Sequence, residues 1–422
     1  MSEKYTIGFA GFGYMGTRLL KGFLDCRSVV SGPIEVVGFR RRPHLMEEIE
    51  RRYPSIVKVD RYEKMFEGRR LSDIVIASPT ELHIHQAKFA IERGTDIFLE
   101  KPISTDLEET RTFVEFALDH DAMVFIDYIE EGLPISKLRD AVLFGELSGV
   151  YGLVPTSFIA VRTKDREDPE VEKNWRDFDN IAGRDSIHCL VKILKTLVRT
   201  IGRGDERNML PRSVQAKSKD LIHPDPAFSK KVSGEVLGEM TFDQGIVAKI
   251  YTSALAEDRR GFAVPSCFGV PESEQEEVKL QHITCANRRE EATVLILDFI
   301  NNTFDLAGAD TAPIDQYLRS HRLSPQKREV EIEGTKLQRY CFGETEIETH
   351  VMDYYFGLKE LKKQRRAQDL NQDISLCTLT AGDYTQLCAE LLQQSADLGG
   401  EIRFPQYSRH GHLCVLQEDQ SP

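Results

Sequence analysis

A chain of 422 residues is too long for one ordinary core, so two domains are expected. With 41% hydrophobic and 29% charged residues it has the composition of a soluble globular protein, not of a fibrous or disordered one. A formal net charge of -13 argues against a general nucleic-acid or anionic-membrane surface, and leaves room for a local basic cluster that holds one phosphate.

Met1 to Ile7 carries no basic leader and no long apolar stretch with a small-residue cleavage site, so a cytoplasmic protein is expected. Eight cysteines stand at 26, 189, 267, 285, 341, 377, 388 and 414 without a Cys-x-x-Cys pair. That spacing predicts reduced, mostly buried thiols and neither a disulfide framework nor a zinc ribbon. Two His-x-His pairs, His83/His85 and His410/His412, lack further ligands at metal spacing and read as structural, so no metal is expected.

Tyr5 to Ala10 forms an apolar strand that ends in Gly11-Phe12-Gly13-Tyr14-Met15-Gly16, after which Thr17 to Leu24 has helical spacing. Strand, glycine turn and helix are the context a dinucleotide fingerprint requires. Gly11 permits the tight turn, Gly13 lets backbone approach the pyrophosphate, and Gly16 lets helix and strand pack closely. A glycine-rich hairpin, the alternative, would not be followed by an amphipathic helix. The second strand, Ile34 to Phe39, ends in Arg40, Arg41 and Arg42 where an NAD site usually places a carboxylate for the ribose hydroxyls. Arginine there can pair with a 2′-phosphate, so NADP is expected over NAD; a solvated basic loop is the alternative.

A helix over Leu45 to Arg52 follows, then a strand over Asp73 to Ala77 that ends at Ser78-Pro79-Thr80-Glu81-Leu82-His83. A helix over Ile84 to Arg93 stops at Gly94, and Asp96-Ile97-Phe98-Leu99 delivers Glu100-Lys101-Pro102. Proline bars helical geometry at the residue before it, so the strand end presents the lysine amine to a crevice; a surface Lys-Pro at an ordinary strand exit is the bland alternative. A helix over Glu108 to His120 and a strand over Met123 to Asp127 close the unit near residue 128. Strand and helix alternate throughout, which predicts a doubly wound parallel sheet whose carboxyl ends share one crevice.

The three motifs at this spacing, Gly11 to Gly16, Ser78 to His83 and Glu100-Lys101-Pro102, resemble those of the Gfo/Idh/MocA oxidoreductases. The resemblance covers the chain to about residue 403 and implies an α/β plus α+β fold: an N-terminal Rossmann domain, 1–128, then an α+β domain, 129–403, built on a large, mainly antiparallel sheet. The tail, 404–422, has no counterpart. It also implies an NAD(P)-dependent dehydrogenase or reductase acting on sugars, polyols and related small molecules, with Lys101 at the nicotinamide ribose and the substrate oxygen. Cofactor contacts are implied at Gly11 to Gly16, Arg40, Arg41, Ser78, Pro79, His83, Glu100, Lys101, Trp175 and Arg176. A homo-oligomer through the second sheet is implied as well.

After Asp127 the chain reads Tyr128-Ile129-Glu130-Glu131-Gly132-Leu133-Pro134, which departs from the family's polar Asn/Arg-rich stretch. A helix is expected over Ile135 to Phe144, a turn over 145–149 and a strand over Val150 to Val161. From Ile187 the apolar residues Leu190, Val191, Leu194, Leu197, Val198 and Ile201 recur at helical spacing, so a helix begins at Asp185 or Ser186 with His188 in its first turn. The positive end of a helix disfavours imidazolium and keeps such a ring able to exchange a proton near neutral pH. A satisfied core histidine is the alternative reading. The family places an aspartate four residues before the histidine. Arg184 stands there in this chain, and Asp185 either replaces that aspartate or only caps the helix.

Further along, Glu235 to Phe242 and Ile246 to Ser253 read as a hairpin, 256–279 as an insertion or loop, and Thr293 to Phe299 and Arg328 to Ile332 as strands. Tyr354-Tyr355-Phe356 reads as part of a core helix and Lys362 to Arg366 as a solvated face, while 373–398 resembles the family's late helix. Lys101, His188 and Asp185 are thus the candidate catalytic set of an NADP-dependent oxidoreductase. The alternative is a nucleotide-binding regulatory or scaffold protein that has lost the chemistry, supported by Arg184 and by the altered 128–134 stretch.

Overall fold

A computed structural model of the chain describes residues 4–26, 33–39, 44–104, 106–163, 211–221, 232–242, 245–253, 265–268, 278–287, 291–344, 346–372 and 376–403. The first six strands are β1 (Tyr5–Ala10), β2 (Ile34–Phe39), β3 (Val57–Val59), β4 (Asp73–Ile76), β5 (Asp96–Leu99) and β6 (Val124–Ile126). All pair in parallel, in the order β3-β2-β1-β4-β5-β6. This is the doubly wound order, whose strand direction of winding reverses between β1 and β4 and opens a crevice at their carboxyl ends. The inner strands are apolar nearly throughout because helices cover both sheet faces. Those helices are α1 (Tyr14–Cys26), α2 (His44–Arg52), α3 (His83–Ile91) and α4 (Leu107–Leu118). Asp106 caps α4, its side chain accepting from the Glu109 amide at 2.7 Å.

A 3₁₀ turn, Ile129–Gly132, leads into α5 (Pro134–Leu143) and the single turn α6 (Ser148–Tyr151). Gly152, at φ +58°, ends that turn, so Val150 is helical and the next strand starts later than its sequence suggested. That strand is β7 (Val154–Thr163). It is joined by β8 (Ser213–Leu221), β9 (Val232–Thr241), β10 (Val247–Ser253), β11 (Val278–Ala286), β12 (Ala292–Asp298), β13 (Thr303–Ala307), β14 (Gln326–Ile332), β15 (Thr335–Cys341) and the short β16 (Ile402–Arg403). The ten form one sheet in the order β14-β15-β13-β12-β11-β7-β10-β9-β8-β16, antiparallel except where β10 lies parallel to β7. The expected hairpin of β9 and β10 is present, with Val247 opposite Thr241. Val278 and Lys279, expected in a loop, open β11.

Four more helices complete the described residues: α7 (Ala312–Ser320), α8 (Ile347–Lys362), α9 (Ala367–Asn371) and α10 (Leu379–Leu398). The last three return to the first sheet. Phe356 of α8 lies 6.0 Å from Phe23 of α1, centroid to centroid, Tyr355 packs edge-on against Phe98 and Phe125, and the Ile126 amide donates to Cys377 O. One continuous apolar core therefore runs from Ile7 through the carboxyl-terminal helices to Leu392, joining both sheets. A smaller core, including Val161, Leu280, Ile296 and Phe268, covers the far side of the second sheet. Of the described cysteines, Cys26, Cys285, Cys377 and Cys388 are buried and all are free thiols; burial pushes the Cys285 thiol up to about 12.

Candidate active site

The carboxyl ends of β1, β4, β5 and β6 lie side by side, and the ladder continues one residue past each. Ala77 donates to Ala10 O, Glu100 to Ile76 O and Asp127 to Leu99 O, at 2.8, 2.9 and 2.8 Å. The Gly11 turn, the Ser78 loop, Glu100-Lys101 and Asp127 consequently share one rim.

The glycine turn has the geometry its three positions require. Gly11 sits at φ +102°, and a Cβ on it would lie 2.5 Å from Ala77 O. A Cβ on Gly16 would lie 2.0 Å from Gly11 O, so the first turn of α1 packs directly on the loop. At Gly13 a Cβ would meet nothing within 4 Å, so backbone faces open space there. Immediately beyond, the amides of Tyr14, Met15 and Gly16 begin α1 without intrahelical acceptors. An exposed glycine followed by a helix N-terminus is a cradle that a pyrophosphate fits. The flanking side chains point elsewhere. Phe12 is buried against Phe9 and over Gly38, whereas Tyr14 stands out into solvent beneath the Arg18 guanidinium.

Ser78 and Pro79 follow β4, with the Ser78 hydroxyl donating to Gln86 Oε1 at 2.6 Å. His83, the first residue of α3, is buried. Its Nδ1 lies 2.9 Å from Pro102 O and its Nε2 2.9 Å from Ser78 O. Burial holds its pKa below the ordinary imidazole value, against the opposing pull of the two carbonyls and Glu100. The ring thus lies between the Ser78 loop and the Lys101-Pro102 loop, whose peptide bond is cis, and in its neutral form donates to one of the two carbonyls. Lys101 is only 8% exposed, and its amide donates to Glu100 Oε2 at 3.1 Å.

Behind the rim lies a set of buried charges that sequence reading missed. Glu130 and Glu131, in the turn after β6, are buried. Glu130 Oε1 is 3.3 Å from Lys279 Nζ of β11 and 3.7 Å from Arg162 Nη1 of β7. Glu131 Oε2 is 2.7 Å from Nη2 of the fully buried Arg139, which also reaches Gln281 Oε1 at 3.2 Å and Asp140 Oδ1 at 2.9 Å. The stretch that departs from the family pattern therefore serves as an ionic strut between the two sheets. Its signal in the sequence was a run of acids directly after a wholly buried strand.

Arg40, Arg41, Trp175, Arg176, Asp185 and His188 lie outside the described residues. Among the described residues no group of three or more His, Cys, Asp or Glu side chains is placed to hold a metal ion, and His85 is exposed while its neighbour His83 is buried. No helix among them is long and apolar enough to cross a membrane.

Residues 5–128 match the profile of the Gfo/Idh/MocA oxidoreductase family, described by its NAD-binding Rossmann fold. Over these residues the chain is similar to that family. A curated relative, oxidoreductase P35 of Formosa agariphila, is 24% identical over 237 residues, covering 53% of this chain and 70% of the relative. Among solved structures, levoglucosan dehydrogenase in complex with NADH aligns with a TM-score of 0.69 at 17% identity, covering 96% of this chain and all of the other. The UDP-N-acetylglucosamine 3-dehydrogenase of Acidithiobacillus ferrooxidans aligns at 0.62 and 16%, over 94% and 99% of the two chains. The myo-inositol dehydrogenase of Corynebacterium glutamicum aligns at 0.62 and 15%, over 96% and 99%. These likenesses show a shared fold over nearly the whole chain.

Proposed function

We propose that this oxidoreductase is an NADP-dependent dehydrogenase or reductase whose substrate is a small hydroxyl or carbonyl compound of the sugar and polyol class. The observation that carries the reading is the convergence, on one rim, of the open Gly13 cradle, the Ser78 loop beside His83 and the buried Lys101. Residues 1–128 hold the dinucleotide and residues 129–403 the substrate, with the second sheet as the surface on which copies of the chain associate. The names of the structural neighbours, which act on levoglucosan, an amino-sugar nucleotide and myo-inositol, support the substrate class.

A bound nicotinamide supplies or accepts a hydride. Gly11, Gly13 and the amides of Tyr14 to Gly16 bind the pyrophosphate, Arg40 and Arg41 select the 2′-phosphate, and Ser78, Pro79, Trp175 and Arg176 border the nicotinamide half. Lys101 hydrogen-bonds the reacting oxygen, and His188 relays its proton with Asp185 orienting the ring. Titration of the purified protein with NADPH and NADH, followed by turnover against a panel of sugars, polyols and their keto forms, tests the reading. Tighter binding of NADPH and turnover of at least one panel member are expected. Tighter binding of NADH would refute the role of Arg40 and Arg41. Binding without any hydride exchange would favour the non-catalytic alternative, for which Arg184 in place of the family aspartate speaks.

A further inference from the structure

Two buried acids stand side by side at the ends of β5 and β6. Asp127, the residue after β6, sits beside Glu100, because its amide donates to Leu99 O at 2.8 Å. Its carboxyl is buried, and no donor among the described residues reaches either Oδ1 or Oδ2. Oε1 of Glu100 is buried and unsatisfied in the same way, while Oε2 accepts from the Lys101 amide. The two residues are next to each other on adjacent parallel strand ends, one position past the Leu99–Ile126 pair. If both were ionised, each would offer only lone pairs and the like charges would repel in a medium of low dielectric. A single proton turns the clash into a donor and an acceptor.

We propose that Asp127 is a neutral carboxylic acid that donates a hydrogen bond to Glu100, and so acts as a positioning residue for the Glu100-Lys101 corner. The neighbouring charges agree. Burial, then Glu100, then Glu130 raise the Asp127 carboxyl well above the ordinary carboxylate range, with Lys101 alone opposing them. The pair then carries one negative charge next to Lys101, and Glu100 stays fixed where its other oxygen holds the Lys101 amide. Its functional consequence rests on the reading of Lys101 given above; the shared proton does not.

Infrared difference spectroscopy of the full chain at neutral pH tests the proton directly. The carbonyl stretch of a protonated carboxyl is expected in the wild type and is lost in Asp127→Asn. A wild-type spectrum without that band, or a band that survives both Asp127→Asn and Glu100→Gln, would overturn the proposal. NADPH titration tests the positioning. Asp127→Val, which removes the donor, should weaken binding about tenfold, and Asp127→Asn, which keeps a neutral donor, should recover most of that loss. Equal loss in the two variants, or none in either, would refute the positioning role. If the wild type binds neither NADPH nor NADH, the proposed function fails, and the infrared band still decides the proton.

Discussion

The first sheet carries buried charge at both ends of its strands, and the two ends treat it oppositely. At the amino end, Asp73 accepts from the Tyr5 and Tyr355 hydroxyls and from Lys359 at 2.6 Å, and Asp96 accepts from Lys359 at 2.5 Å and Lys362 at 2.7 Å. Burial would raise the Asp96 carboxyl, but the two lysines outweigh it and hold its pKa below the ordinary value. At the carboxyl end, Glu100 and Asp127 stand on neighbouring strand ends, and three of their oxygens accept from no donor among the described residues. Satisfied charge fastens α8 to the sheet; unsatisfied charge stands where chemistry is proposed. Proteins keep such incomplete polar groups where function, rather than stability, decides the residue.

Three substitutions probe that contrast. Lys359→Met leaves Asp73 without its cation and Asp96 with Lys362 alone, and should cost about 3 kcal/mol in urea unfolding at neutral pH. Because the folded-state pKa of Asp96 is depressed, its contribution is present above its unfolded value, about 4, and disappears as pH falls through the folded value. The deficit of the variant should accordingly narrow in acid. Dinucleotide binding by the folded variant should be unchanged; a loss there would break the division between the two ends.

Gly13→Val acts on the other end. Nothing lies within 4 Å of its new Cβ, so the thermal midpoint should hold while NADPH affinity falls by more than about tenfold, or 1.4 kcal/mol. Unaltered affinity in calorimetric titration would remove the cradle from the account. The smallest effect is expected from Asp127→Asn, which should raise stability at neutral pH by about 1 kcal/mol. Here the folded pKa is raised, so the native acid loses stability as pH climbs from about 4 toward that value, whereas the amide does not titrate. The advantage of the variant should vanish below about pH 4, and a pH-independent difference would show that Asp127 does not take up a proton on folding.

The first sheet was legible because parallel strands covered on both faces read as unbroken apolar runs between helices. The second was legible only in part. Ser213–Leu221, Val278–Ala286 and Thr335–Cys341 interleave lysine, glutamine and arginine with short apolar residues, and their pairing is settled by neighbours far along the chain. Lys362 read as part of a solvated face, yet it crosses to Asp96, 266 residues away, and is only partly exposed. Of the candidate site, Gly11, Gly13, Gly16, His83, Glu100 and Lys101 were found because local motifs announce them. Asp127, Glu130 and Arg139 were not, since contacts between acids on adjacent strand ends, or across sheets, leave no local spacing to read.

Lys101 is proposed to serve hydride transfer at this rim. The most direct test of that role is transfer of deuterium from C4-deuterated NADPH into the panel of keto compounds, with wild type and Lys101→Met compared under single-turnover conditions. Label is expected in at least one product with the wild type, and a rate about 10²- to 10⁴-fold lower in the variant while NADPH still binds. Transfer at the wild-type rate by Lys101→Met would contradict that role.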